Sequence, residues 1–313
     1  MKISATTSKA VAFAYLFSST HNATSFAFQS FRRLNSCVKQ SWPLINWPTS
    51  NEPTHSTIAT LTVRNMASTS EESISSIDIA RNVEDVREKM NLAMEARGSE
   101  LTDPVRLVAV SKTKPMPLLE QAYNDANVRV FGENYVQELV EKVPQLPGDV
   151  QWHFIGSLQS NKVNLLLRPF LPDDIDRLVL ETVGTLKLAN KLNNAIDGDK
   201  KLKIFVQVNT SGEDSKSGVS PDEVVDLCQS IVQECPKLHL QGLMTIGAPG
   251  DEACLDKLAE SRNQVVAALG LESLELSMGM SGDYEAAILK GSTNVRVGST
   301  IFGARDYSNV DKK

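Results

Sequence analysis

Short apolar runs alternate with longer amphipathic stretches from residue 76 onward. Most of the runs are continuously apolar, which is typical of parallel strands buried on both faces. In the intervening stretches, apolar residues recur three and four positions apart, and this spacing predicts amphipathic helices. We expect eight strands, at residues 105–110, 128–132, 150–155, 177–183, 202–208, 240–246, 274–278 and 294–298.

A helix is expected before the first strand and in most of the later intervals. The segment 76–97 carries one apolar stripe, made of Ile79, Val83, Val86, Met90 and Ala93, and Gly98 marks its end. The other helical patterns cover residues 118–126, 134–143, 185–196, 221–234, 254–269 and 284–291.

This order of elements predicts a (β/α)8 TIM barrel. Eight repeats of strand then helix in about 240 residues match that fold, whose typical size is about 250 residues. A doubly wound open sheet is the alternative, but it usually has fewer strands and often carries a GxGxxG nucleotide motif, which this sequence lacks. Since the last strand lies close to the C-terminus, we expect one barrel domain over residues 76–313.

Residues 1–75 have the composition of a targeting leader. The first 51 residues contain no Asp or Glu, are rich in Ser and Thr, and include the apolar stretch AVAFAYLF. The following ATSFAFQSFRR resembles the cleavage context of two-part plastid leaders in algae, so a plastid is favoured. A mitochondrial presequence and a disordered tail are the alternatives, and Met66 offers a second start that would give a cytosolic form.

Charge and cysteine content exclude several classes of protein. Residues 1–75 carry a net charge of +3, which leaves −9 on residues 76–313 of the total of −6. A body this acidic argues against a general nucleic-acid or anionic-membrane binder, and AVAFAYLF is too short to span a bilayer. The cysteines form no CxxC pair, so neither a disulfide framework nor a metal site is expected; they are Cys37, Cys228, Cys235 and Cys254.

The chemistry of a barrel resides where its strands end. Lys112 follows the first strand, and an apolar barrel mouth would favour its neutral amine for Schiff-base formation. The alternative is a solvated surface lysine, and Lys114 is expected to face solvent. Asn134, after the second strand, either faces a ligand or caps a helix. His153, on the third strand, is either a general base or a core residue.

Small residues follow the last two strands at positions where helices begin. Ser281, Gly298, Ser299 and Thr300 are candidates for a phosphate site, although ordinary turn chemistry also favours Gly and Ser. Such a site beside Lys112 suits a phosphorylated aldehyde, either a sugar phosphate or pyridoxal 5′-phosphate (PLP). If Arg296 reaches the pyridine nitrogen, this nitrogen stays unprotonated and the ring is a weaker electron sink.

Seven motifs together resemble the pyridoxal phosphate homeostasis family, the YggS/PROSC type. They extend over about residues 76–307 and read LVAVSKTKP, FGENYVQE, WHFIGSLQSNK, NTSGEDSKSG, QGLMTIGAPG, ELSMGMSGDYEAAI and GSTNVRVGSTIFGARDY. The resemblance implies a fold-type III PLP barrel, similar to the N-terminal domain of alanine racemase. It implies that Lys112 forms a covalent aldimine with PLP.

The resemblance also implies roles for the other candidate residues. Ser281, Gly298 and Ser299 would hold the phosphate, and Arg296 would face the pyridine nitrogen. Asn134 would face the cofactor, and His153 would line the pocket.

Binding, protection or delivery of PLP is expected rather than catalytic turnover. Racemisation needs a second base opposite the lysine; in alanine racemase this is a tyrosine from an additional domain, and no such domain is expected here. The alternatives are a slow amino-acid racemase and a class I aldolase-like enzyme. The expected partners are PLP and apo forms of PLP enzymes, with no nucleic acid and no membrane, and we expect a monomer.

Overall fold

Eight parallel strands close into a barrel in the order in which they occur along the chain. The computed structural model describes residues 77–99, 101–213, 216–248 and 250–304, and these residues belong to one compact unit. The predicted leader, Met66 and Cys37 lie outside the described residues. The strands are β1 (Arg106–Val110), β2 (Val130–Glu133), β3 (Gln151–Phe154), β4 (Leu178–Val183), β5 (Leu202–Gln207), β6 (Leu238–Met244), β7 (Glu275–Met280) and β8 (Asn294–Val297).

Closure of the barrel confirms the predicted fold and excludes the open sheet. Strand β8 pairs with β1 from Arg106 opposite Asn294 to Ala109 opposite Val297. Strand β7 pairs with β6 and β8, so of the last two strands only β8 touches β1 directly. All eight predicted strands are present, with ends displaced by a few residues at most.

The helices surround the barrel and agree with the predicted intervals. They are α1 (Ile79–Ala96), α2 (Met116–Asp125), α3 (Val136–Lys142), α4 (Val163–Leu167), α5 (Leu186–Ala195), α6 (Val224–Glu234), α7 (Ala253–Leu269), α8 (Tyr284–Leu289) and α9 (Ser299–Phe302). Short 3-10 turns occupy Val143–Gln145, Ser160–Lys162, Ile175–Arg177 and Pro221–Glu223. In the described part of the chain, no helix is both long and apolar enough to cross a membrane.

The main hydrophobic core lies between the strands and the surrounding helices. The predicted stripe of α1 is buried along its whole length, and Asp78 caps this helix by accepting a hydrogen bond from the Arg81 amide at 3.0 Å. Asn82 of α1 donates to the Ile301 carbonyl at 3.0 Å, which ties α1 to α9. A separate small cluster consists of Val179, Phe205 and Met244, from β4, β5 and β6.

Candidate functional site

A cavity of about 260 Å³ opens among the loops that follow β1, β7 and β8. These loops lie at the carboxyl ends of the strands, where barrels carry their functional residues. Five of the seven predicted site residues line it together: Lys112, Ser281, Arg296, Gly298 and Ser299. The remaining lining residues are Val110, Lys114, Ile155, Met280, Gly282 and Gly303.

Gly298 packs directly against the strand that leads to Lys112. A Cβ atom at position 298 would lie 3.1 Å from the Val110 carbonyl oxygen and 3.2 Å from the Val110 Cβ. These distances are tighter than ordinary van der Waals contact, so glycine permits this approach between the ends of β1 and β8. The loop after β8 and the lysine after β1 are thereby brought to one cavity.

Ser281 and the start of α9 form the polar end of the cavity. The Gly298 amide donates to Ser281 Oγ at 3.2 Å, and the Gly298 carbonyl accepts from the amides of Ile301 and Phe302 at 3.0 and 2.9 Å. The first amides of a helix project out of its N-terminal end, which places those of Ser299 and Thr300 on the side where an anion would bind. Ser299 is exposed and Ser281 half-buried, so both are accessible to a ligand.

Arg296 forms the floor of the cavity and is held by two hydrogen bonds. Its Nη1 donates to Ser277 Oγ and its Nη2 to the Thr245 carbonyl, each at 2.7 Å. The residue is only 4% exposed. Burial lowers the pKa of the guanidinium, and the negative charge of Glu181 opposes this shift. The cation is therefore fixed beneath the ligand space with a defined orientation.

A buried carboxylate, Glu181, connects Arg296 to His153. Its Oε2 accepts from Ser277 Oγ at 2.5 Å, and its Oε1 lies 2.5 Å from His153 Nδ1. Burial alone would raise the pKa of Glu181, but the hydrogen bond from His153, the charges of His153 and Arg296, and the Ser277 hydroxyl hold it below the ordinary value. Glu181 is therefore an anion inside the barrel that balances the buried guanidinium.

Sequence reasoning missed Glu181 and Ser277. A signal was present, since Glu181 is the one charged residue in the LVLETV strand and Ser277 lies between two apolar residues in LELSM. Inward-facing polar residues on strands of one barrel meet only after closure. The cluster of His153, Glu181, Ser277 and Arg296 is called the interior network below.

The structure places His153 and Asn134 away from the cavity lining. His153 is fully buried on β3 and reaches the cavity only through the interior network; its Nε2 is buried without a partner in the described structure. Asn134 follows β2, is half-buried, and has its Oδ1 buried without a described partner. A Cβ at Gly156 would lie 2.0 Å from the Asn134 carbonyl oxygen, so glycine is needed at this contact.

Lys114, expected to face solvent, is half-buried and also lines the cavity. Its Nζ donates to the Ala304 carbonyl at 2.7 Å, and it lines the same cavity as Lys112. The chain turns between the two lysines because Thr113 adopts a left-handed backbone with φ of 62°. The spacing of Lys114 from the strand end did not reveal this turn.

The donor set fits a small phosphorylated ring compound that carries an aldehyde. The start of α9 with Ser281 suits the phosphate, the side chains of Val110, Ile155 and Met280 supply apolar walls, and the lysine amines suit the aldehyde. Among the described residues, no group of three or more His, Cys, Asp or Glu side chains could hold a metal ion. The described cysteines are free and buried; burial raises the pKa of Cys228 to about 12.

Comparison with known proteins agrees with the fold. Residues 77–306 match the family described as alanine racemase, N-terminal domain. The chain is 45% identical over 246 residues to the pyridoxal phosphate homeostasis protein of Bos taurus, covering 73% of this chain and 88% of that protein.

Two solved structures illustrate the structural likeness. The structure of PipY from Synechococcus elongatus with PLP bound superposes with a TM-score of 0.57 at 28% identity, covering 72% of this chain and 100% of that one. Alanine racemase from Corynebacterium glutamicum shares the fold, with a TM-score of 0.52 at 15% identity over 74% of this chain and 61% of that one. The chain therefore belongs to the alanine racemase N-terminal domain family and, within it, to the family of pyridoxal phosphate homeostasis proteins.

Proposed function

We propose that this protein binds PLP at the barrel mouth and takes part in the intracellular homeostasis of the cofactor. The observation that carries the proposal is that Lys112, Arg296 and the Ser281–Gly298 contact lie on one cavity. The names of the curated relatives and the PLP bound in the PipY structure support the same ligand. A phosphorylated sugar aldehyde has no aromatic nitrogen that the buried guanidinium of Arg296 could face.

Lys112 is proposed to hold the cofactor covalently. Its neutral amine would be the group that reacts with the aldehyde, with loss of the aldehyde oxygen as water. Lys114 is the second amine on the cavity, and its Nζ donates to the Ala304 carbonyl. Lys112 lies two residues past the end of β1, so its backbone is held close to the barrel.

The other residues bind and orient the ligand in this proposal. Ser281 and the loop at Gly298 and Ser299 hold the phosphate, at the start of α9 where unpaired amides favour an anion. Arg296 faces the pyridine nitrogen and keeps it unprotonated, because two positive charges at close range disfavour each other. When bound, PLP supplies an electrophilic aldehyde and an electron-withdrawing ring.

His153 and Asn134 have different proposed roles. His153 acts on the ligand through Glu181 and Arg296 rather than by contact. Asn134 has a buried, unpaired oxygen beside the loop that follows β3, and we propose that it turns toward the cofactor on binding.

Binding and delivery, rather than turnover, is the proposed activity. Turnover by PLP needs proton transfer at the substrate α-carbon. The described lining of the cavity contains no Tyr, His, Cys, Asp or Glu, so the side chains there that could act as a base are those of Lys112 and Lys114. An unprotonated pyridine nitrogen also stabilises a carbanion less well. We therefore propose that the bound aldehyde is protected and handed to apo forms of PLP enzymes.

An absorption titration tests the proposed site. Addition of PLP to purified protein is expected to give the absorption band of a Schiff base, and Lys112→Ala is expected to abolish it while Lys89→Ala, an exposed lysine on α1, leaves it intact. A protein that forms no band with PLP overturns the proposal.

A second measurement separates homeostasis from racemisation. When L-alanine is mixed with the PLP-loaded protein in heavy water, its α-proton is expected to exchange no faster than it does with free PLP. Rapid exchange that Lys112→Ala removes would instead identify a racemase.

Residues 1–75 are proposed to direct the protein to a plastid, with a mitochondrion as the alternative and a cytosolic form starting at Met66. The absence of acidic residues from the first 51 positions supports a leader. Imaging of a fluorescent protein fused to residues 1–75 tests this proposal, and a diffuse cytosolic signal refutes it.

The proposed monomer is tested by the mass measured in light scattering.

A further inference from the structure

We infer that Lys142 is a positioning residue that fixes the backbone on both sides of Lys112. The inference rests on the proposed function, since it concerns the lysine proposed to hold PLP. Lys142 ends α3, behind the strands, and in the described structure it does not line the cavity. Any effect of Lys142 on the ligand must therefore pass through the residues that it holds around Lys112.

Lys142 is buried with every proton of its ammonium group engaged. Its Nζ donates to the Ser111 carbonyl at 2.9 Å, to Glu133 Oε1 at 2.8 Å and to Glu138 Oε2 at 3.0 Å. An ammonium group has three N–H donors, so these three acceptors satisfy it completely. Lys142 is 6% exposed and Glu133 0%, and a lysine this buried is rare unless it is paired.

The carboxylates of Glu133 and Glu138 also accept hydrogen bonds from the two residues that flank Lys112. Glu133 Oε1 accepts from Ser111 Oγ at 2.6 Å, on the side before the lysine. Glu138 Oε2 accepts from the Thr113 amide at 2.8 Å, on the side after it. We call Ser111, Thr113, Glu133, Glu138 and Lys142 the lysine clamp.

The clamp holds a turn that the chain would not adopt readily by itself. Thr113 has φ of 62°, a left-handed conformation that is strained for a β-branched residue. The Lys114 amide donates to the Ser111 carbonyl at 3.1 Å, so this carbonyl is shared by the turn and by Lys142. The turn closes around Lys112 and directs it to the cavity that Lys114 also lines.

Loss of Lys142 would release this arrangement. Glu133 and Glu138 would lose the cation between them, and burial already raises the pKa of Glu133. The carboxylates would separate or Glu133 would take up a proton, and the Ser111 carbonyl would lose a donor. Lys112 would then sample several orientations, which slows its attack on the aldehyde.

Two pairs of variants test the inference. Lys142→Met removes the ammonium group and keeps an unbranched apolar chain, and Lys89→Met is its exposed control. Glu138→Ala removes the acceptor of the Thr113 amide, and Glu141→Ala, exposed on the same helix, is its control. Since Glu138 is only half-buried, this second pair remains informative if Lys142→Met fails to fold.

Cofactor binding is measured at a temperature at which melting curves show each variant folded. Lys142→Met and Glu138→Ala are expected to raise the Kd for PLP and slow Schiff-base formation by on the order of tenfold, whereas both controls behave like wild type. Amide hydrogen exchange at Thr113 and Lys114 is expected to accelerate in the same variants without PLP. A structural role alone would lower the melting temperature and leave the Kd unchanged.

The outcomes separate the inference from the proposed function. If wild-type protein binds PLP and both clamp variants bind it with unchanged Kd and rate, the inference is overturned and the proposed function stands. If wild-type protein forms no Schiff base, the proposed function fails, and the exchange rates of the apo variants still show whether the clamp holds the turn.

Discussion

Arg296 is joined to Ser277 by a hydrogen bond of 2.7 Å from Nη1 to Oγ, inside the barrel and below the cavity. The hydroxyl of Ser277 in turn donates a hydrogen bond to Glu181 Oε2. The guanidinium of Arg296 and the carboxylate of Glu181 therefore both bind the same buried serine. An unpaired charge in such a place is strongly destabilising. The interior network therefore serves both the stability of the barrel and the orientation of Arg296.

Replacement of Glu181 by Gln is expected to lower the free energy of unfolding by about 3 kcal/mol, because it leaves the buried Arg296 without its counter-ion. Denaturant unfolding of the apo protein measures this change. The control is Glu285→Gln on α8, an exposed residue whose replacement changes the net charge equally. The double variant Glu181→Gln with Arg296→Met is expected to recover part of the loss. Equal stability of the Glu181→Gln variant and the control would contradict the interior network.

Gly298→Ala is expected to weaken the binding of PLP by disturbing the contacts to its phosphate group. The new methyl group would meet the Val110 carbonyl at 3.1 Å, so the loop after β8 must move away from β1. We expect the Kd for PLP to rise by about tenfold and the Kd for pyridoxal, which has no phosphate, to change little.

Gly282→Ala provides a matched control for that variant. Gly282 lines the same cavity, but a Cβ there would meet no atom within 4 Å. Its affinity for PLP should equal that of wild type. Equal affinities of the two alanine variants would show that the close approach at Gly298 is not needed for binding.

Acid sensitivity of the fold is expected to depend on Glu275, at the start of β7. Burial alone would raise the pKa of Glu275, but hydrogen bonds from Arg106, Asn294 and Gln241 and the charge of Arg106 hold it below the ordinary 4.5. Because the folded pKa is lower than the unfolded one, this carboxylate stabilises the fold above about pH 4.5, and the stabilisation is lost as the pH falls through the folded pKa.

Glu275→Gln tests that expectation by chemical denaturation across pH. At pH 7 the variant should lose about 1–2 kcal/mol of unfolding free energy, and its stability should fall less steeply in acid. Glu272→Gln, an exposed neighbour, should follow the wild-type curve. A variant as acid-sensitive as wild type would rule out Glu275 as a source of the acid dependence.

Local patterns in the sequence were sufficient to predict the barrel and the position of the cavity. The β1 run VRLVAV ends two residues before Lys112, and Gly298 follows the β8 run directly. Both relations depend only on neighbours in the chain, and barrel closure places these strand ends side by side. Lys112 and Gly298 were therefore predictable before any contact was known.

Contacts between distant residues were not predictable in this way. Ser277 and Glu181 are separated by 96 positions, and Lys142 and Ser111 by 31. Nothing in NYVQELVEKV distinguishes Lys142 from a solvated lysine at the end of an amphipathic helix. Its role depends on the direction in which α3 packs against β2 and the loop after β1, which periodicity does not specify.

Borohydride reduction followed by peptide mapping tests the central claim most directly. Reduction of the protein with bound PLP converts a Schiff base into a stable secondary amine, and digestion then locates the label. We predict the pyridoxyl group on the peptide that contains Lys112, and no labelled cavity peptide in Lys112→Ala. Label on Lys114 or on surface lysines, with Lys112 unmodified, would contradict the proposed site.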